Sequence, residues 1–274
     1  MGAGVERHFG PADGGVKKTS VGTLRIGVTP YFNALPLIDG LEAFEDVEVF
    51  REPPSELADL LDSARIDAAL LPAADYLAGR DRWQMAAPYG IVAAGPVWTV
   101  KIFSDVPLRK IAQLHVDAES HSSAALAKVI FREWEGQEVQ FIPQAFRAGA
   151  VDTDRNWLLI GDKAFAGIDR AYVYDLGELW FERTGLPFIF ALWAAAGTAP
   201  IERIGKRLCE TADRNLARVD HLASLYGPEH GFDSSVAREY LGRVIHYRIG
   251  ARELKGLERF GKLLAKHAGQ RVPS

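Results

Sequence analysis

The sequence has few of the residues and runs that support disulfide, metal or membrane chemistry. Among its 274 residues, Cys209 is the single cysteine, so no intrachain disulfide can form. No apolar run approaches the roughly 20 residues that a membrane-spanning helix needs. The seven histidines are scattered without the spacing that indicates a metal site. We therefore expect a protein without a disulfide, a metal or a membrane span.

Motifs that bind cofactors or activate nucleophiles are also missing. The sequence contains no G-x-G-x-x-G after a strand, no phosphate-binding loop with a Walker lysine and no C-x-x-C pair. The G-x-S-x-G motif of the α/β-hydrolases is absent as well. From these absences we expect a protein that works without a cofactor.

The overall charge does not indicate a polyanionic partner. The formal net charge is −4, so we expect no nucleic-acid binding, and an acidic ligand would have to be held by local features. The proportions of hydrophobic and charged residues are ordinary for a globular protein with a sizeable core. The first residues lack the apolar segment of a secretory signal. We expect a cytoplasmic protein whose residues 1–20 form a flexible tail.

The first part of the chain alternates predicted strands and helices. Short apolar runs predict strands at Leu24–Val28, Val47–Phe50 and Ile66–Leu71. One helix is predicted after Asn33 and another opens at Pro54, where apolar residues recur at helical spacing. This β-α-β-α-β order favours a parallel sheet with covering helices.

The rest of the chain leaves this unit, builds a second one and returns. A predicted strand at Val97–Phe103 leads out, and another at Phe188–Ala196 carries the chain back. The pattern predicts further elements between and after them: strands at Ile111–Val116, Gln137–Ile142 and Trp157–Ile160, and helices at Ser122–Trp134, Glu202–Val219 and Ala251–His267.

This order of elements predicts an α/β protein of two lobes joined by a double crossover. We expect residues 21–100 plus 190–274 to form one discontinuous lobe and residues 101–189 to form the other. Ligands of open α/β sheets bind beyond the carboxyl ends of the strands. In a two-lobed protein both sets of strand ends face one central cleft, which is where we expect the ligand.

Five segments, in a fixed order, resemble those of a known family. They are residues 31–37 (YFNALPL), 95–99 (GPVWT), 120–123 (SHSS), 160–164 (IGDKA) and 174–193 (YDLGELWFERTGLPFIFALW). Together they resemble the chorismate dehydratase family of the futalosine route to menaquinone, from about Leu24 to about Lys262. The resemblance implies a periplasmic-binding-protein-like (type 2) fold used by a cytoplasmic enzyme.

The resemblance also implies a reaction and a ligand. The family removes the ring C3 proton and the C4 hydroxyl of chorismate, an anionic dicarboxylate, to give 3-[(1-carboxyvinyl)oxy]benzoate. Three alternatives stay open: a non-enzymatic binding protein for small carboxylates on the same fold, the dihydroxynaphthoate synthase of the same pathway, and a paralogue that acts on another small carboxylic acid. The general base and the oligomeric state are left open by the sequence.

The Ser120-His121-Ser122-Ser123 segment is the first candidate for substrate binding. Three hydroxyls and free backbone N–H groups gather where a helix begins, and such a terminus binds anions. Ordinary N-capping by Ser120 or Ser122 is the alternative. The family pattern is Ser-x-Thr-Ser, so the resemblance assigns Ser120, Ser122 and Ser123 to the substrate. His121 falls at the variable position, where we expect an exposed side chain without a role.

Asn33 and Thr99 are the candidates for catalysis. Asn33 precedes a predicted helix, so it either caps that helix or turns its amide toward the cleft. The resemblance ties this asparagine to the chemistry, and an amide is suited to orienting a substrate or a base rather than to acting as one. Thr99 is either a buried strand threonine or the counterpart of the family's serine. Ala94 stands where the family has an aspartate.

The Gly161-Asp162 pair ends a predicted buried strand at the edge of the cleft. A glycine there lets the backbone approach a ligand closely, and we assign both residues to substrate binding. Asp162 would position a hydroxyl or take part in proton transfer. A capping role for Asp162 in a strand-to-helix turn is the alternative. Asp175 is interpreted as structural.

Overall fold

The computed structural model describes residues 22–117, 120–145 and 155–268. The expected tail, residues 1–20, lies outside the described residues. Within them the chain forms two β-sheets, each covered by helices, and no helix is long and apolar enough to cross a membrane. The α/β class and the two-lobed architecture are as expected.

The strands and helices of the described residues are numbered in chain order. The strands are β1 (Leu24–Val28), β2 (Val47–Arg51), β3 (Ala68–Pro72), β4 (Trp83–Ala93), β5 (Val100–Ser104), β6 (Gln113–Val116), β7 (Gln140–Pro143), β8 (Trp157–Ile160), β9 (Tyr172–Asp175), β10 (Phe188–Ala196) and β11 (His246–Arg248). The α-helices are α1 (Leu35–Ile38), α2 (Pro54–Asp62), α3 (Ala73–Ala78), α4 (His121–Val129), α5 (Gly161–Ala166), α6 (Leu176–Thr184), α7 (Ile201–Leu216), α8 (Val219–Tyr226), α9 (Ser234–Glu239) and α10 (Ala251–Ala268). The π-helical segments are Ile130–Glu135 and Tyr240–Val244.

The first sheet has the strand order β11-β4-β10-β3-β1-β2. β1 pairs in parallel with β2 and β3, as the sequence predicts. The sheet as a whole is mixed, because β10, which the chain adds on its return, runs antiparallel to both β3 and β4. The sequence analysis missed β4, whose apolar pattern is interrupted by Pro88 and Gly90. Gly90 lies so close to β10 that a Cβ atom there would be 2.4 Å from the carbonyl oxygen of Ala191.

The second sheet has the order β7-β6-β8-β5-β9, with β6 parallel to β7 and β8 and β5 antiparallel to β8 and β9. β5 begins at Val100, three residues later than predicted. The reason is that the backbone of Val97 and Trp98 donates to the carboxylate of Asp175 instead of joining the ladder. The chain thus leaves the first sheet after β4 and returns to it at β10. The exact lobe boundaries given above stay a prediction.

Two histidine–aspartate pairs join the lobes. His121, at the start of α4, places Nδ1 2.8 Å from Oδ2 of Asp75 on α3. His230, in the loop after α8, places Nδ1 2.6 Å from Oδ2 of Asp162 on α5. Each pair has one member on the helices of the first sheet and one on those of the second. The lobes therefore touch on two sides of the space between them.

These pairs favour protonated histidine. The hydrogen bond that His121 donates to Asp75 raises the pKa of His121, and the bond that His230 donates to Asp162 raises the pKa of His230, while partial burial opposes both shifts. A histidine whose pKa is raised by folding adds stability that is complete below its unfolded pKa of about 6.5. That stability is lost as the pH rises through the higher folded pKa.

We expect His121→Gln and His230→Gln to lower the melting temperature at about pH 5.5 and to have little effect at about pH 8.5, because only the charged histidine strengthens the pair. Thermal unfolding across that pH range measures the difference. His246→Gln is the control, since His246 is exposed and has no ion pair in the described part of the chain. If the melting temperature falls equally at both pH values, protonation of these histidines does not strengthen the pairs.

Candidate functional site

A cavity that is partly open to solvent lies between the two lobes. The first lobe contributes residues at the carboxyl ends of β1 and β3, namely Thr29, just after β1, and Pro72, the last residue of β3. The second lobe contributes the start of α4 and the end of β8, where Ile160 and Gly161 lie. This is the position that the strand order predicts for a ligand site.

Most of the predicted site residues line this one cavity. The lining includes Asn33, Thr99, Ser120, Ser122, Ser123 and Gly161. Asp162 is not part of the described lining, because its carboxylate is directed to His230, with which it forms one of the two pairs between the lobes. The structure therefore brings together residues that are more than 120 positions apart in sequence, and separates Asp162 from them.

Asn33 lies on a short 3-10 turn, Phe32–Ala34, just after β1. Its Nδ2 donates to the phenol oxygen of Tyr240 at 3.2 Å. Its Oδ1 is buried and has no hydrogen-bond partner among the described residues. The side chain makes no capping hydrogen bond to the turn or to α1. At a cavity wall, Asn33 thus presents a carbonyl oxygen to which no described residue donates.

Thr99 is almost completely buried and joins the same network. Its Oγ1 lies 2.6 Å from the Tyr240 phenol oxygen, and its carbonyl oxygen accepts from the N–H of Gly161 at 2.8 Å. Thr99 therefore links the first lobe to the end of β8. The hydroxyl that the family's serine would supply is present here on threonine.

Tyr240 is the member of this network that the sequence analysis missed. It opens the π-helical segment near the end of the chain and is 1% exposed. Burial raises its pKa, so the phenol stays protonated and neutral over the ordinary pH range. No motif or spacing marks it, because its partners are 207 and 141 positions away in sequence.

The start of α4 brings the three serines to the opposite wall. Ser120 occupies the N-cap position, yet its side chain makes no capping hydrogen bond, and its Oγ is buried without a partner among the described residues. The Oγ of Ser122 accepts from the N–H of Ala74 in the first lobe at 3.1 Å. Ser123 is 5% exposed. The capping alternative is therefore not the arrangement seen, and the hydroxyls are left for the cavity and the opposite lobe.

His121 differs from its expectation. It was predicted to be exposed and without a role, but it is half-buried, lines the cavity and binds Asp75 across the cleft. The helix turn between Ser120 and Ser122 leaves position 121 facing α3, which the sequence could not reveal. A protonated His121 adds positive charge beside the start of α4, where the helix dipole already favours an anion.

The electrostatics of the cavity favour a small anionic ligand. In the described lining, no aspartate or glutamate is present. The start of α4 lies at the cavity wall, and the first N–H groups of a helix have no partner inside the helix. Neutral donors and a helix terminus are thus available for a carboxylate. No cluster of histidine, cysteine, aspartate or glutamate that could hold a metal occurs among the described residues.

The segment that carries Thr99 is held by one buried carboxylate. Asp175 accepts hydrogen bonds from the backbone N–H groups of Val97 and Trp98 and, as the N-cap of α6, from those of Gly177 and Glu178. Its structural interpretation is confirmed by these contacts. Burial raises the pKa of Asp175, and the N–H donors of Val97, Trp98 and Glu178 act against that shift.

Two backbone positions at the site have left-handed conformations. Trp98 has φ +66°, a conformation that costs about 1–3 kcal/mol for a bulky residue and needs surrounding contacts to maintain it. Gly161 has φ +61°, and a Cβ atom there would approach Cδ1 of Tyr31 to 3.3 Å. Glycine at 161 therefore allows the two lobes to meet closely at the cavity.

Comparison with known proteins agrees with the motifs. The chain matches the menaquinone biosynthesis family over residues 24–266. It is 27% identical over 258 residues to a chorismate dehydratase of Thermus thermophilus, covering 87% of this chain and 94% of the relative. It is 26% identical over 235 residues to a chorismate dehydratase of Campylobacter jejuni, covering 85% of this chain and 89% of that relative.

The fold has solved counterparts as well. The periplasmic aliphatic sulphonate binding protein of Escherichia coli superposes with a TM-score of 0.60 at 14% identity, covering 91% of this chain and 88% of that protein. The predicted periplasmic-binding-protein-like fold is thus confirmed. Because the family match spans nearly the whole described structure, the chain belongs to the menaquinone biosynthesis family.

Proposed function

We propose that this protein is a chorismate dehydratase, a hydro-lyase that converts chorismate to 3-[(1-carboxyvinyl)oxy]benzoate. The observation that carries the proposal is the cavity, where Asn33 and Thr99 from one side meet the serines at the start of α4 from the other. Two relatives that align over most of their length bear the name of this activity. As a member of a biosynthetic family, the protein is further proposed to work in the cytoplasm.

The reaction suits a site made of neutral hydrogen-bond donors. The C3 proton of chorismate is vinylogous to the ring carboxylate, so removing it spreads negative charge onto that carboxylate. Donors fixed around the carboxylate then stabilise the charge as it develops. Loss of the C4 hydroxyl makes the ring aromatic, which supplies driving force without a metal or a redox cofactor.

The two walls of the cavity are suited to different parts of the substrate. On one wall, the start of α4 with Ser122 and Ser123 holds a carboxylate through N–H and O–H donors. On the other, Asn33 and Thr99 lie at the reacting hydroxyl. The described lining has no carboxylate side chain, which favours a carboxylate of the substrate itself as the base. Contact between the lobes excludes water from the bound ligand.

A binding protein for small carboxylates is the second candidate. The fold that this chain shares with a periplasmic binding protein favours this second function. Such a protein would bind the carboxylate at the same helix terminus without converting the ligand to a product. The two functions differ in what happens to chorismate after it binds. Turnover by the unmodified protein separates them.

We expect purified protein to convert chorismate to the carboxyvinyloxy-benzoate with no metal or cofactor added. Formation of the aromatic product is followed by its ultraviolet absorbance and identified by mass spectrometry. A parallel reaction with a chelator present checks for adventitious metal and should proceed at the same rate. Tight binding of chorismate without any product would support the binding-protein function instead.

We expect Asn33→Ala to lose most of its turnover while it unfolds close to the wild-type temperature. Misplacing a reacting group costs on the order of 100-fold in rate, whereas one lost hydrogen bond costs about 0.5–1.5 kcal/mol of stability. The measurements are kcat with chorismate and thermal unfolding. Near-normal turnover in this variant would show that Asn33 has no part in the chemistry.

We expect Ser122→Ala and Ser123→Ala to weaken binding of a 3-substituted benzoate about tenfold or more, since each loses a hydrogen bond to a charged group. Calorimetry measures the affinity, and the ligand's protection against heat should shrink in both variants. If the serines only stabilise the start of α4, the melting temperature falls while the affinity is unchanged. Ser63→Ala is the control, because Ser63 caps the distant end of α2.

A further inference from the structure

The buried phenol of Tyr240 lies between the two residues assigned to the reacting end of the substrate. Its oxygen is 3.2 Å from Asn33 Nδ2 and 2.6 Å from Thr99 Oγ1. An amide nitrogen only donates, so the phenol oxygen accepts from Asn33. The phenol's own hydrogen is then available for Thr99. Both side chains are thereby tied to one fixed point.

That fixed point is rigid. The ring of Tyr240 stacks on Phe232, with centroids 5.3 Å apart and planes 12° apart, and on Trp98, at 6.2 Å and 13°. It also packs near Phe32, which immediately precedes Asn33 in the chain. A side chain that stacks with three aromatic rings and is 1% exposed cannot turn without disturbing its neighbours. Its hydroxyl is therefore held in place before any ligand arrives.

The direction of the hydrogen bonds decides what the cavity offers to a ligand. Because Nδ2 of Asn33 is used by Tyr240, the end of the amide left over is Oδ1, which has no partner among the described residues. The Thr99 hydroxyl has one hydrogen, which donates to the carbonyl of Val97 at a long 3.4 Å, so Oγ1 is arranged to accept from Tyr240. A ligand oxygen can replace that long bond as the acceptor of the Thr99 hydrogen. One acceptor on Asn33 and one donor on Thr99 are therefore offered by two side chains that bind the same phenol oxygen.

We propose that Tyr240 is a positioning residue that orients Asn33 as an acceptor and Thr99 as a donor, so that together they bind one hydroxyl group of the substrate. An alcohol both donates and accepts, so it matches this pair and a carboxylate does not. The inference rests on the proposed function in identifying that hydroxyl as the C4 hydroxyl of chorismate. The two walls of the cavity then have different roles. Asn33 and Thr99 bind a hydroxyl, and the start of α4 binds a carboxylate.

The test compares Tyr240→Phe with Tyr247→Phe. Both substitutions remove one buried phenol hydroxyl and keep the ring, but the Tyr247 hydroxyl has no hydrogen-bond partner in the described residues. We expect Tyr240→Phe to lower kcat on the order of 10–100-fold and to weaken chorismate binding about tenfold, and Tyr247→Phe to keep wild-type kcat and affinity. Affinity for a 3-substituted benzoate without a ring hydroxyl should be the same in both variants, since the α4 wall is intact.

A double-mutant cycle with Asn33→Ala distinguishes positioning from general packing. If Tyr240 acts through Asn33, adding Tyr240→Phe to Asn33→Ala lowers kcat by much less than it does in the wild type. If the double variant loses kcat by the product of the two single losses, the proposal is overturned. Equal kcat in Tyr240→Phe and Tyr247→Phe would overturn it as well. If Tyr240→Phe does not fold, Thr99→Val removes the hydrogen bond at the other end of the Asn33–Tyr240–Thr99 series. Its loss of kcat should likewise be much smaller when it is added to Asn33→Ala.

The outcome also separates this inference from the proposed function. If wild-type protein binds chorismate but makes no product, the dehydratase function fails, and the affinity for chorismate itself becomes the measurement. Tyr240→Phe should then bind chorismate about tenfold more weakly than Tyr247→Phe, because the substrate hydroxyl loses its oriented partners. Equal affinities in that case would overturn the role of Tyr240 independently.

Discussion

The buried carboxylate of Asp175 is the interaction on which the rest of the site depends. Four backbone N–H groups converge on it, two from the segment that leaves the first sheet and two from the start of α6. A buried carboxylate is stable only when it is well hydrogen-bonded. These bonds hold Trp98 in its left-handed conformation and so position the next residue, Thr99. The Thr99 hydroxyl contacts Tyr240, and its carbonyl oxygen accepts from Gly161.

The site is assembled by contact between the lobes. The hydrogen bond from Ala74 to Ser122 and the pairs of His121 and His230 with aspartates all cross the cleft. Two of the buried oxygens that have no hydrogen-bond partner among the described residues, Asn33 Oδ1 and Ser120 Oγ, belong to residues on opposite walls of the cavity. Leaving a buried polar atom unpaired costs about 1–3 kcal/mol. A ligand that satisfies both walls recovers that free energy, so the same contacts that close the cleft favour a polar occupant.

Local sequence pattern was sufficient where an element depends mainly on its own side chains. The return strand β10 has the predicted bounds, Phe188–Ala196, because nine consecutive residues suited to a buried strand leave little choice. β4 could not be predicted from the sequence, because Pro88 and Gly90 interrupt its apolar pattern. Its strand conformation is stabilised by pairing with β10, which exists only in the folded sheet. The antiparallel direction of β10 likewise follows from where the second lobe releases the chain.

By itself the sequence determined the order of most strands and helices, the division into two lobes, and a set of candidate residues that meet at one cavity, because periodicity and ordered motifs are properties of neighbouring residues. Only the tertiary structure decided that Asp162 pairs with His230, that His121 faces the cleft, and that Tyr240 joins Asn33 to Thr99. Those contacts link residues up to 207 positions apart. A hydrogen bond depends on the distance and the direction between two groups in space. The local sequence pattern determines neither of them for residues that are far apart in the chain.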